Sequence, residues 1–446
     1  MPRRSRWLLV LGACTALVAT IAPVAAQNGT AANDPVYEQG LQWGLDAVGA
    51  PAAWATARGA DTTIAVIDSG IDLQHEDLAP KIVGHVSCIG AAGDPAKCRG
   101  SGQDDNGHGT HVAGIAAAVT GNGRGIAGVA PDAKLLAVRV LANDCNGETC
   151  TASGTAGDVA AGIRWAVDNG ADVINLSLGG GSNLGILTGC AFCDAINYAW
   201  GKGVVAVIAA GNDSMLPSGF GDEPAVIVTA TTKDDGRASY SASSSGILRS
   251  ARWPVAAPGG EGETNPADCA TGGSPKGVLS TYWIAGHANE YACLAGTSMA
   301  APFVSGAVAL LRSQGLSPQQ AVDRLLTTAR DLGGPGRDSF YGEGRIDVAT
   351  AVGPPGTVAP STTATTPVTS GAAVTVAEAP ATLAPAPETS TEPTATVPTA
   401  GEPQEFSVSP VDEQEPSETL VALAVALLMA AAAGTGGAAW SLYRRD

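Results

Sequence analysis

Three short segments of this chain carry side chains that together could do nucleophilic chemistry. Ala65-Val66-Ile67-Asp68-Ser69-Gly70 ends an apolar run abruptly on a carboxyl group. Asn106-Gly107-His108-Gly109-Thr110-His111-Val112 places a histidine just before an apolar helical pattern. Gly296-Thr297-Ser298-Met299-Ala300-Ala301-Pro302 places a serine at the opening of another. Each has a plain structural reading: a carboxyl group capping a loop, a loop histidine, an N-cap serine. Together they supply an acid, a base and a nucleophile. A serine hydroxyl is a weak nucleophile until a histidine takes its proton, and that histidine needs a carboxylate to fix its tautomer. At a helix start, Ser298 would also have backbone N–H groups and the positive dipole end facing a developing oxyanion.

Positions 68, 108 and 298 can meet only if the elements carrying them end at one place. Apolar runs predict strands over 63–67, 135–141, 172–176 and 204–209, and helical patterns cover 111–119, 158–169 and 298–311. Continuous apolar strands separated by helices imply an α/β fold, a doubly wound and mostly parallel sheet with helices on both faces. Open sheets of this kind bind ligands beyond the carboxyl ends of their strands.

The three motifs, in the order Asp, His, Ser, resemble those of the subtilisin-like serine peptidases, the subtilases. The resemblance runs from about Gly40 to Val352 and implies a serine-type endopeptidase with the subtilisin-like fold. By that match Asp68 orients His108, His108 is the general base, Ser298 is the nucleophile and His111 is structural. Val207-Ile208-Ala209-Ala210-Gly211-Asn212 matches the family segment whose asparagine joins the serine N–H in the oxyanion hole, which assigns Asn212 and Ser298 to that role. The resemblance also implies a substrate-binding edge at Ser177, Leu178 and Gly179, an opposing edge over Thr151 to Gly154, and contacts from Ala210 and Gly211. Asp77 and Asn122 match places where the family binds a structural calcium; the chemistry itself implies no cofactor. One departure is the shortness of the segment from Gln27 to Glu38, which leaves room for a short extension but not for a folding-assistant propeptide.

Composition bounds the remaining possibilities. The chain has 446 residues, 45% of them hydrophobic, enough for a sizeable core. A net charge of −18 repels phosphate and excludes a nucleic-acid partner. Arg3, Arg4 and Arg6 precede an apolar run that closes on Val24-Ala25-Ala26, so residues 1–26 read as a secretory signal peptide, with Cys14 as a lipid anchor in the alternative. Residues 27–39 form the extension and 40–352 the peptidase domain. Residues 353–418 are rich in Pro, Thr and Ala, with nine acids and no Lys or Arg, and read as a disordered linker. Residues 419–443 carry no charge and are followed by Arg444-Arg445, as in a transmembrane helix with a cytoplasmic tail at 444–446. The expected partners are therefore polypeptide substrates and a lipid bilayer, with the peptidase domain outside a cell membrane.

Eight cysteines fall outside the signal region. Export makes disulfides the default, and proximity in sequence pairs Cys88 with Cys98, Cys145 with Cys150, Cys190 with Cys193 and Cys269 with Cys293. Cys190 and Cys193 also have zinc-ligand spacing. Three functions stay open at this point: an exported, tethered endopeptidase, a catalytically silent binding module on the same fold, and a metallohydrolase using His108 and His111. The anchor and linker resemble those of the mycosins, membrane-bound subtilases serving bacterial secretion; a degradative surface protease is the other reading.

Overall fold

Thr63-Ile-Ala-Val-Ile-Asp68 is apolar on both faces, and it forms β1 (Thr63–Asp68), buried from Ile64 onward. The computed structural model describes residues 32–146, 149–178, 191–214, 218, 220–245, 250–261, 276–353 and 405–408. β1 lies inside a sheet with β2 (Ile82–Ser87), β3 (Lys134–Arg139), β6 (Val173–Leu176), β7 (Val205–Ala209), β8 (Ala225–Thr231) and β9 (Trp253–Pro258). The strand order is β2-β3-β1-β6-β7-β8-β9 and every pairing is parallel. After β1 the chain crosses to the sheet edge at β2, returns inward through β3 beside β1, and then builds outward on the other side from β6 to β9. The order therefore reverses beside β1, and the crevice left at such a reversal is where open α/β sheets bind ligands. Asp68 is the last residue of that strand.

Alternate residues of each strand serve opposite faces. Ile64, Val66, Leu135, Ala137, Val205 and Val207 pack on α4 (His108–Ala117) and α7 (Thr297–Ser313). Ala65, Ile67, Leu136, Val138, Ala206 and Ile208 pack on α5 (Ala156–Asp168) and α6 (Cys193–Gly201). A sheet covered on both faces explains why its strands read as unbroken apolar runs. α8 (Pro318–Thr327) opens with a capping box between Ser317 and Gln320, and α9 (Val348–Val352) follows. At the front, α1 (Pro35–Glu38), α2 (Trp43–Ala47) and α3 (Ala50–Ala53) lie along the domain.

Two antiparallel units stand outside the sheet. β10 (Val278–Tyr282) and β11 (Glu290–Leu294) form a hairpin. β4 (Ala142–Asn146) and β5 (Thr149–Thr155) form another, to which β12 (Glu405–Val408) adds a third strand. β12 falls within the stretch read from sequence as a linker. Its four residues lie between Pro403 and Pro410, where consecutive backbone N–H groups are available for pairing. Residues 354–404 and 409–418, the signal segment 1–26 and the span 419–443 lie outside the described residues. Among the described residues no helix is long and apolar enough to cross a membrane.

Helix boundaries differ from expectation at the site. α4 starts at His108 itself, and α7 starts at Thr297 and runs to Ser313. Glycines account for the first difference, since helical propensity does not mark a start at Gly107-His108-Gly109. A Cβ on Gly109 would lie 2.1 Å from the Gly70 carbonyl oxygen, so only glycine lets α4 approach the end of β1 this closely. Cys88 and Cys98 form a disulfide, and strand register sets Cys145 opposite Cys150. Cys193 and Cys293 each belong to a separate disulfide, which removes Cys193 from zinc ligation; Cys190 and Cys269, their expected partners, lie outside the described residues.

Candidate active site

Asp68 and His108 meet where β1 ends and α4 begins. His108 Nδ1 lies 2.8 Å from Asp68 Oδ1, which also accepts the Ser69 N–H at 2.7 Å. Asp68 is fully buried and His108 is 7% exposed. Burial disfavours the charged ring, but the charge and hydrogen bond of Asp68, with the more distant charge of Asp104, together raise the His108 pKa above 6.5. The neutral ring therefore donates from Nδ1 to Asp68 and keeps Nε2 as the acceptor.

Asp104 shapes the turn that presents His108, and nothing in the sequence reading singled it out. Its carboxyl group is fully buried; one oxygen accepts from Asn106 N and Gly107 N, the other from Thr110 N and Thr110 Oγ1. These bonds tie the first turn of α4 to the loop before it. Gly109 N–H donates to Ser69 Oγ at 2.9 Å, which fixes α4 to the residue after Asp68. His111 faces away: its Nε2 sits 3.1 Å and 3.0 Å from the Val278 and Ala292 carbonyls. Burial, with the nearby His108, pushes its pKa down to about 3, so the ring stays neutral and ties α4 to the β10–β11 hairpin.

Ser298 lies in the first turn of α7, where backbone N–H groups have no partner inside the helix. Pro302, four residues on, lacks the N–H that would bond the Ser298 carbonyl. Ser177 Oγ fills that place, donating to the Ser298 carbonyl at 2.7 Å, while Ser298 Oγ donates to the Ser177 carbonyl at 3.3 Å. Behind them, Asn175 Nδ2 donates to Ser177 Oγ at 2.9 Å and Ser305 Oγ donates to Asn175 Oδ1 at 2.8 Å. All three supporting side chains are buried, so the start of α7 is fastened to the end of β6 through a closed polar network.

Asn212 follows β7. Its Oδ1 accepts from Thr297 N at 3.0 Å and Thr297 Oγ1 at 2.9 Å, and two donors on one oxygen settle which end of the amide is which. Nδ2 is left on the side of the Gly296–Ser298 turn, 3.3 Å from where a Cβ on Gly296 would lie. Gly211 N–H donates to Thr297 Oγ1, and Ala210 N–H to the Val228 carbonyl. Leu178 is buried beside Ser177, and Gly179 lies outside the described residues. Gly154 lies on β5.

The expected metal residues also come together. Asn122 Nδ2 donates to Asp77 Oδ1 at 2.9 Å, and Asp77 Oδ2 accepts from Ile126 N and Tyr291 OH. Asp34, missed in sequence, joins them from just before α1, accepting from Gly121 N and Asn122 N. Burial, opposed by these hydrogen bonds and assisted by the Asp77 charge, raises the Asp34 pKa. Arg124 turns outward to Glu76 at 3.0 Å. Among the described residues no three His, Cys, Asp or Glu side chains converge as a metal centre. Each carboxyl oxygen of Asp34 and Asp77 accepts a hydrogen bond, and Asn122 turns its Nδ2 donor to Asp77 while its Oδ1 accepts the Arg124 N–H.

The sequence pattern of the subtilase family matches residues 59–344. The chain belongs to the subtilase family. This subtilase is 39% identical over 323 residues to thermitase of Thermoactinomyces vulgaris, covering 72% of its own length and 98% of that protein. It is 36% identical over 320 residues to subtilisin Savinase of Lederbergia lenta, covering 70% and 99%. Among solved structures, a protease from Pseudoalteromonas arctica PAMC 21717 superposes with a TM-score of 0.56 at 32% identity, over 72% of this chain and 99% of that one. The subtilase is a serine-type endopeptidase.

Proposed function

We propose that this subtilase hydrolyses peptide bonds with Ser298 as nucleophile, His108 as general base and Asp68 as the group that orients and stabilises the imidazole. The observation that carries the assignment is the buried 2.8 Å contact between His108 Nδ1 and Asp68 Oδ1. It fixes the tautomer in which Nε2 accepts the Ser298 proton as Oγ attacks the carbonyl carbon. The oxyanion is held by the Ser298 N–H and Asn212 Nδ2. As the tetrahedral intermediate collapses, His108 gives its proton to the leaving amine. Water, deprotonated by His108, then releases the acyl group and restores Ser298. The full chain should hydrolyse casein and a fluorogenic peptide, and Ser298→Ala should abolish both; full activity in that variant would remove Ser298 from the mechanism.

The substrate runs extended between the Ser177–Gly179 edge and β5, held mainly by backbone hydrogen bonds. A calcium ion would be held by carboxyl oxygens of Asp34 and Asp77, and by Asn122 once its amide turned Oδ1 toward them; it would neutralise the buried carboxyl pair and take no part in catalysis. Export by residues 1–26 and anchoring by 419–443 place the domain outside the membrane on its linker. The uncharged span, its flanking Trp440 and Tyr443, and Arg444-Arg445 support that arrangement, which is similar to that of the mycosins.

A further inference from the structure

We propose that the chain's own segment Glu405–Val408 is a ligand of the substrate-binding edge, docking on β5 in competition with peptide substrate. This rests on the reading of β5 as one wall of the cleft. Glu405 stands opposite Thr155, Phe406 opposite Gly154, Ser407 opposite Ser153 and Val408 opposite Ala152, antiparallel. The other edge of β5 is held by β4, so β12 fills the edge left for an incoming strand. Strand addition of this kind takes its affinity from main-chain hydrogen bonds and its selectivity from alternate side chains.

The occupied edge is built onto the site. Asn106, two residues before His108, donates from Nδ2 to Asn143 Oδ1 on β4, and Asn143 Nδ2 donates to the Asp105 carbonyl. A Cβ on Gly154 would lie 2.4 Å from the Val140 carbonyl oxygen, and Val140 N–H donates to the Asp68 carbonyl at 2.8 Å. β5 is thus linked through Val140 to the end of the strand that carries Asp68, and through its partner β4 to the loop just before His108.

The segment itself is distinct within the linker. Phe406 is the sole aromatic residue between 353 and 418, and Pro403 and Pro410 bracket the paired run. The 51 residues from 354 to 404 have a contour length of roughly 170 Å, enough for the chain to return to the domain. A linker of this kind presents its end at an effective concentration on the order of millimolar. A segment binding at about 0.1 mM in trans would then hold the edge about nine-tenths of the time and raise the apparent KM about tenfold.

Two full-length double variants test this, Glu405→Pro with Ser407→Pro and Phe406→Pro with Val408→Pro. Alternate residues of an antiparallel strand aim their N–H groups at the partner, so one of the two variants removes the ladder donors. That variant should show a KM for a short fluorogenic peptide about tenfold lower at unchanged kcat, and a synthetic 401–412 peptide should inhibit it competitively. Unchanged KM in both variants would overturn the proposal while leaving the hydrolase reading intact. Hydrogen exchange in full-length Ser298→Ala reads docking without turnover: residues 152–155 should be protected, and should lose protection when the proline pair is added. Equal exchange with and without the prolines would overturn the proposal even if the protein hydrolysed nothing.

Discussion

At the residue scale, the burial and charge around His108 determine how the enzyme responds to pH. Proton transfer from Ser298 requires the neutral imidazole, so activity rises as pH passes upward through the His108 pKa. Burial alone would move that pKa down, but Asp68 and Asp104 raise it. The acidic limb of kcat/KM in the free enzyme should therefore lie above pH 6.5, and in Asp68→Asn it should move to lower pH while kcat falls. A limb that stays in place in Asp68→Asn would show that Asp68 does not act through His108. Asp68, His108, Ser298 and Asn212 were legible in sequence because each ends or opens an apolar element. Asp104 and Asp34 were not: acids in loops look like solvated surface, and only folding reveals that both are fully buried.

At the element scale, the active serine depends on how α7 meets the sheet. Pro302 frees the Ser298 carbonyl, and Ser177, Asn175 and Ser305 build a support behind it. Ser305→Ala removes the outer hydroxyl and leaves Asn175 Oδ1 buried without that donor, a loss of about 1–3 kcal/mol. Urea denaturation should show that loss, and kcat should fall with KM little changed; a stability and kcat equal to the parent would show that the network is idle. Periodicity showed the parallel sheet through β1, β3, β6 and β7 and the helices α4, α5 and α7, with boundaries displaced by a few residues, but not β2, β8, β9, α6 or α8. The network was not, because Ser305 in an apolar helix reads as a neutral substitution until its partner on β6 is known. β12 was missed for the opposite reason: four ordinary residues in a Pro-rich stretch carry no strand signal without β5 to receive them.

For the whole molecule, buried acids link the chain's front to the body of the domain. Asp34 belongs to the first described residues, and Asp77 follows the bend after β1, so a cation between them would fasten α1 to the 120–126 loop. If the site is saturated about a hundredfold over its Kd, a chelator removes about 2.7 kcal/mol and should lower the Tm of a domain of this size by about 4 °C. An unchanged Tm would mean that hydrogen bonds alone satisfy the two carboxyl groups. On the docking proposed above, pairing of the 405–408 segment with β5 would give the same architecture a second control. All of this presumes that the hydroxyl of Ser298 is the group His108 activates. Phosphonofluoridate treatment of the full chain, followed by peptide mass mapping, tests that most directly. A single adduct on Ser298, lost when His108 is replaced by Ala, is the expected result; an adduct elsewhere, or none on Ser298 in protein that is folded and hydrolysing peptide, would contradict it.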